Sequence, residues 1–146
     1  LQKRLAGGLA AAKAQPGVDA SKAAAIGFCF GGLCVLDMAR AGMDLAGVAS
    51  FHGLFNPADN IPSPKISAKV LIEHGWLDPM APPADVLAIA KEMGDAGADW
   101  QLHAHGQSYH AFTTLGANDS NMGTVYNADA DRRSFASLKL FLEELF

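Results

Sequence analysis

Apolar positions recur with two different periods along this chain, and the switches between them mark out its elements. Leu1, Leu5 and Leu9 fall at i, i+4 and i+8 with Lys3, Arg4 and Lys13 around them, which predicts an amphipathic helix with no preceding cap. Gln15-Pro16-Gly17-Val18-Asp19 breaks that helix with turn chemistry. Ala23 to Phe28 is short, uncharged and apolar, the pattern of a strand buried on both faces. Gly31 to Ala41 predicts a helix, with Leu33, Leu36 and Ala39 or Arg40 at turn spacing and Gly42 as its stop. Leu45 to Phe51 is a second apolar strand, and the stretch 56–65, holding Pro57, Pro62 and Pro64, a loop. Lys69 to His74 is the clearest strand. Pro83 to Ala96 predicts a helix ended by Gly97, Asp99 to His105 a fourth strand, and 106–124 a polar loop. In the last helix, Asp129 to Phe146, a stripe of Phe135, Leu138, Leu142 and Leu145 follows Asp129 and Asp131, whose charges favour the helix dipole from the first turn.

Strands alternating with helices predict parallel pairing through crossovers, so the fold class is α/β, a sheet with helices on both faces. No internal repeat or long linker divides the chain, and residues 1–146 read as a single domain. Half the residues are hydrophobic and 18% are charged, which excludes disorder. A net charge of −4 without a basic stripe argues against nucleic acid and anionic membrane surfaces as partners. No apolar run is long enough to span a bilayer, no export signal opens the chain, and two cysteines five apart make no disulfide scaffold. The expectation is a cytoplasmic globular protein.

In parallel sheets the working residues lie at the carboxyl ends of the strands. There the first strand runs through Gly27-Phe28-Cys29-Phe30-Gly31-Gly32 directly into a helix, a nucleophile elbow with cysteine in place of serine. The nucleophile of an elbow projects from a strained turn, which requires very small residues two before and two after it. The helix N-terminus is expected to lower the thiol pKa and to offer N–H groups to a developing oxyanion. A buried structural cysteine is the alternative for Cys29, and Cys34, inside the helix, fits that description better.

A thiol nucleophile needs a base, and the base an orienting acid. Asp78 opens the loop after the third strand, within Glu73-His74-Gly75-Trp76-Leu77-Asp78-Pro79, and turn capping is its competing role. His110 follows the fourth strand in a polar loop where an imidazole can move and titrate, the competing reading being a solvated loop histidine. The order nucleophile, acid, histidine is that of the α/β-hydrolases. His110 should then lie within hydrogen-bond range of both Cys29 and Asp78.

The segments Gly-Phe-Cys-Phe-Gly-Gly (27–32), Ser-Phe-His-Gly (50–53), His-Gly-Trp-Leu-Asp-Pro-Met-Ala-Pro (74–82), His-Ala-Phe-Thr (110–113) and Tyr-Asn-Ala-Asp-Ala-Asp-Arg-Arg-Ser (126–134) resemble the dienelactone hydrolase family, over nearly all of the chain. The resemblance implies an α/β-hydrolase-like sheet with Cys29 as nucleophile, His110 as base and acid, Asp78 as its orienter, and the Phe30 N–H in the oxyanion hole. It also implies hydrolysis of an ester or lactone through a cysteine-bound acyl intermediate, with no metal or organic cofactor. The family's N-terminal strands, second oxyanion donor and elbow-contacting glutamate have no counterpart here. Thr114 stands where dienelactone hydrolases proper carry a carboxylate-binding arginine, which shifts the expected small-molecule substrate to a broader class of carboxylic esters.

His103 and His105 on one strand face, and His52 and His74 at strand ends, suggest metal ligation, but no third ligand is near in sequence. His52 and His74 match the family as packing residues beside glycines. Trp76, Phe30, Phe51, Phe55 and Tyr109 are expected to line the pocket or the core. A truncated, catalytically incompetent remnant is the alternative to a hydrolase, and a redox-sensitive thiol protein the weaker one. With the family's neighbouring strands absent, the strand at 23–28 becomes an unprotected edge, and the chain is expected either to self-associate through it or to behave as one piece of a longer polypeptide.

Overall fold

The computed structural model describes residues 1–57 and 65–146. Four strands, β1 (Ala24–Phe28), β2 (Gly47–Phe51), β3 (Lys69–Gly75) and β4 (Trp100–His105), pair in parallel in the order β1-β2-β3-β4. Four helices accompany them among the described residues: α1 (Gln2–Lys13), α2 (Phe30–Arg40), α3 (Pro83–Asp95) and α4 (Ala128–Leu145). Most of the proline-bearing loop expected at 56–65 lies outside the described residues.

Alternation along the strands sorts the core onto two faces. Val48 of β2 and Val70 and Ile72 of β3 pack with Val35, Leu36 and Ala39 of α2 and with Val86, Ile89 and Met93 of α3. Their neighbours Ala49, Phe51 and Leu71 point the other way, onto Leu138 and Phe141 of α4. Helices therefore cover both faces, as the pattern predicts. Leu5 and Leu9 of α1 pack on the α2–α3 side, and Lys13 reaches the Asp44 carboxylate at 2.6 Å. The buried Arg40 ties α2 to α3 and to the chain beyond β2. It donates to Asp37 Oδ1 at 2.9 Å, to Glu92 Oε1 at 2.6 Å and to the Phe55 carbonyl at 2.6 Å. Removing one partner of so buried a network would strand the other charge, which costs about 3–5 kcal/mol.

Two expectations change. β1 is not buried on both faces: among the described residues it pairs only with β2, and Ile26 and Phe28 stay 43% and 41% exposed, although Phe135 of α4 stacks on the Phe28 ring. The polar loop at 106–124 contains regular structure, since β5 (Asn118–Asp119) pairs antiparallel with β6 (Thr124–Val125). Asn127 caps α4, its Oδ1 accepting the Asp129 and Ala130 N–H groups, and Asp129 and Asp131 lie in the first turn as the sequence pattern predicts. No helix among the described residues is long and apolar enough to cross a membrane.

Candidate active site

Cys29 joins β1 to α2 with φ 53° and ψ −121°, a conformation that side-chain-bearing residues rarely adopt. Its N–H donates to the Phe51 carbonyl at 3.1 Å, so the β1–β2 ladder continues up to Cys29 and locks the strained turn. The glycines around it are used unevenly. A Cβ on Gly27 would strike the Gly31 carbonyl, and one on Gly32 would lie 2.6 Å from Ser50 Oγ and 2.7 Å from the Gly53 Cα. A Cβ on Gly31 meets open space, so the smallness expected two residues after Cys29 is required one residue later, at Gly32. Among the described residues, neither the Phe30 nor the Gly31 N–H donates to a backbone carbonyl, which leaves both free beside Sγ.

Asp78 and His110 come from two loops fastened together at the top of β3. The Leu77 N–H donates to the Ser108 carbonyl at 2.9 Å and the Trp76 N–H to the His105 carbonyl at 3.0 Å. Gly75 makes the approach feasible, because a Cβ there would collide with the Tyr109 and Ser108 carbonyls. His110 Nδ1 then lies 2.7 Å from Asp78 Oδ2, both residues buried. Asp78 Oδ1 accepts the Met80 N–H at 2.8 Å, so the carboxylate caps its turn and orients the histidine at once. His110 is not a solvated loop residue. Its own backbone is held by the Gly123 carbonyl and the Val125 N–H, and little of its ring reaches solvent.

The expected contact between His110 and Cys29 is looser. One ligand atom each from Cys29, His52 and His110 lies within 4.8 Å of the others, but the hydrogen bond of Cys29 Sγ goes to His52 Nδ1, at 3.4 Å. His52 is thus more than a packing residue. It stands at the end of β2 with φ 37°, fully buried, and its Nε2 meets Thr113 Oγ1 at 2.8 Å. Burial pushes its pKa down to about 4, the neighbouring His110 adding to the effect, so the ring is neutral at pH 7. The Cys29 thiol moves the other way from the expectation: burial raises its pKa, and the Asp78 carboxylate raises it further. In the tautomer whose Nε2–H donates to Thr113 Oγ1, the Cys29 Sγ–H donates to Nδ1. The signal available in sequence was the position of His52 at the top of the strand beside the nucleophile's own.

The other candidates separate cleanly. His103 and His105 both bond to the buried Glu73 carboxylate, each at 2.8 Å, which uses its oxygens to pin β4 to β3. His74 is buried against Phe55, ring centroids 5.3 Å apart, and neither of its nitrogens has a partner among the described residues. Phe51 and Phe55 are core, Tyr109 is half-buried, and Phe30 and Trp76 are exposed, with Leu77, Met80, Leu115 and Met122 also exposed on the loops at this end of the sheet. Segments 29–33, 52–57, 75–82 and 106–123 carry no Lys or Arg.

A parallel sheet with helices on both faces and a strained cysteine elbow at a strand end defines an α/β-hydrolase fold. The sequence profile of the Dienelactone hydrolase family matches residues 1–146, and the chain belongs to that family. It is 37% identical over 149 residues to an uncharacterized protein of Caenorhabditis elegans, covering all of this chain and 94% of that one. Among solved structures, it superposes on a dienelactone hydrolase-like promiscuous phosphotriesterase from metagenomic libraries with a TM-score of 0.88 and 38% identity. That match covers 98% of this chain but only 60% of the phosphotriesterase. A carboxylesterase of Bacillus cereus shares the fold at a TM-score of 0.70 and 16% identity, over 99% of this chain and 59% of that one.

Proposed function

We propose that this chain hydrolyses neutral, apolar carboxylic esters or lactones, with Cys29 as nucleophile, His110 as general base and acid, and Asp78 as the orienter of His110. The observation that carries the reading is the buried 2.7 Å contact between His110 Nδ1 and Asp78 Oδ2, with the elbow thiol within 4.8 Å of the histidine. Because Nδ1–H is committed to Asp78, the remaining nitrogen, Nε2, is the one free to take a proton.

At rest Sγ lies against His52 Nδ1, and a ring with a pKa near 4 is too weakly basic to take the thiol proton. Rotation about the Cys29 side chain hands the proton to His110 as Sγ attacks the ester carbonyl. The Phe30 N–H receives the oxyanion of the tetrahedral intermediate. The imidazolium, stabilised by Asp78, returns its proton to the leaving alkoxide, and an acyl thioester remains on Cys29. Water, deprotonated by His110, then releases the acid and restores the thiol. The substrate is neutral and apolar because the surrounding loops offer exposed Phe30, Trp76, Leu77 and Met80 and no Lys or Arg to pair with a substrate carboxylate.

Cys29→Ala should abolish turnover of a p-nitrophenyl ester, while Cys34→Ala should leave it within a few-fold. Asp78→Asn should lower kcat by roughly 10³–10⁴-fold. Loss of turnover with Cys34→Ala alone would move the nucleophile and defeat the assignment. Neutral phosphotriesters are a second substrate class, supported by the 38% identity to the metagenomic phosphotriesterase. A p-nitrophenyl dialkyl phosphate turned over by the unmodified chain and not by Cys29→Ala would establish it.

A further inference from the structure

The thiol and two imidazoles at the top of β1 and β2 are arranged for more than proton transfer. One ligand atom from each of Cys29, His52 and His110 lies within 4.8 Å of the other two, and the Sγ–Nδ1 leg to His52 is already 3.4 Å. A tetrahedral zinc ion with bonds near 2.0–2.3 Å holds such atoms about 3.4–3.6 Å apart. One leg has that separation now, and the others need to close by up to about 1.4 Å.

The lone pairs are also in place. His110 Nδ1–H is held by Asp78 at 2.7 Å, which turns Nε2 inward as a free donor atom. His52 Nε2 is held by Thr113 at 2.8 Å, which leaves Nδ1 facing the thiol. An imidazole fixed through its far nitrogen by a carboxylate or hydroxyl is the arrangement that orients histidine ligands on zinc. Both rings have that support.

We propose that Cys29, His52 and His110 form a Cys-His₂ site for zinc or a comparable thiophilic divalent ion, and that metal capture reversibly silences the thiol. On binding, the Sγ–H proton leaves to solvent and Sγ bonds to the metal as a thiolate. Nδ1 of His52 and Nε2 of His110 donate their lone pairs, and a water fills the fourth position. No electron is transferred, and a chelator reverses the step. The ion occupies both the nucleophile and the lone pair that would accept its proton, so a metal-loaded chain cannot hydrolyse an ester. The site shares these residues with the hydrolytic reading, but its existence does not depend on turnover.

Titration of the full, metal-free chain with Co²⁺ tests it, read by the sulfur-to-cobalt charge-transfer band and the visible bands of tetrahedral cobalt, followed by displacement with Zn²⁺. The expected result is one equivalent bound, with both signals bleached by Zn²⁺. Cys34→Ala should bind as the unmodified chain does. Cys29→Ala should lose the charge-transfer band, and Thr113→Val should weaken binding about 10-fold through His52, with circular dichroism reporting that each variant is folded. A charge-transfer band that survives Cys29→Ala, one lost only with Cys34→Ala, or no tetrahedral spectrum at all overturns the site. Absence of cobalt binding beside intact ester turnover removes this proposal alone, whereas cobalt binding by a chain that shows no turnover when metal-free removes the hydrolase reading alone.

Discussion

Protonation of His52 opposes folding across a defined pH window. Its pKa is about 4 in the folded chain against about 6.5 when unfolded, so between those values the unfolded state binds the extra proton. Stability from this group is therefore complete above pH 6.5 and is lost as pH falls towards 4. The full difference is on the order of 3 kcal/mol. Burial lowers the pKa of His74 as well, in the same direction. Urea denaturation at several pH values should show the unmodified chain weakening below pH 6.5 and His52→Gln weakening less. Parallel pH profiles for the two proteins would show that His52 is not a buried neutral base. The residues legible in sequence were those embedded in a local pattern: Cys29 between glycines at a strand-to-helix junction, Asp78 just after a strand, His110 just after the next. His52 was misread because its role depends on register. Phe28 pairs with Phe51, which makes Cys29 and His52 the next residues on adjacent strands, and no spacing along the chain states which residues two parallel strands place side by side.

The elbow and the loop fastening at Gly75 make separable demands on their elements. Gly31→Ala puts a methyl group into open space in the first turn of α2, and Ala is the better helix former, so the melting temperature should hold or rise. Gly32→Ala forces the Cβ against Ser50 and the Gly53 backbone and should cost about 1–3 kcal/mol, seen as a fall in melting temperature. Gly75→Ala pushes the Ser108 and Tyr109 carbonyls away, and with them His110. A displacement near 1 Å at a catalytic group can cost about 10²-fold, so ester turnover should fall by that order even where the variant stays folded. Equal turnover in Gly75→Ala and the unmodified chain would mean that the fastening does not position the histidine. The larger elements followed from periodicity, with ends shifted by a residue or two, as where the strand expected from Leu45 begins at Gly47. The β5–β6 pair escaped because two-residue strands carry no period to read. The exposure of Ile26 and Phe28 escaped the apolar pattern alone, because a strand's composition does not state whether another element covers it.

For the molecule as a whole, β1 sets the association state expected of this 146-residue chain. Among the described residues β1 has β2 on one side only, and it carries neither charge nor proline to discourage pairing. Ile26, Phe28 and Phe135 add exposed apolar surface beside it, the Phe28 and Phe135 rings stacked with centroids 6.3 Å apart. A second copy pairing along β1 would cover both the backbone groups and these rings. Light scattering after size exclusion should give a mass above that of one chain, and Ile26→Lys should reduce it to the single-chain mass. A monomer at all concentrations would show that this edge is protected in some other way. Acylation of the Cys29 thiol, which directly follows β1, is open to mass spectrometry of the chain acid-quenched during turnover of a p-nitrophenyl ester. One acyl group per chain is expected on the peptide containing Cys29, absent in Cys29→Ala and accumulating in His110→Ala if acylation there is driven at high pH. Steady turnover with no acyl group on Cys29, or an acyl group on Cys34, would contradict it.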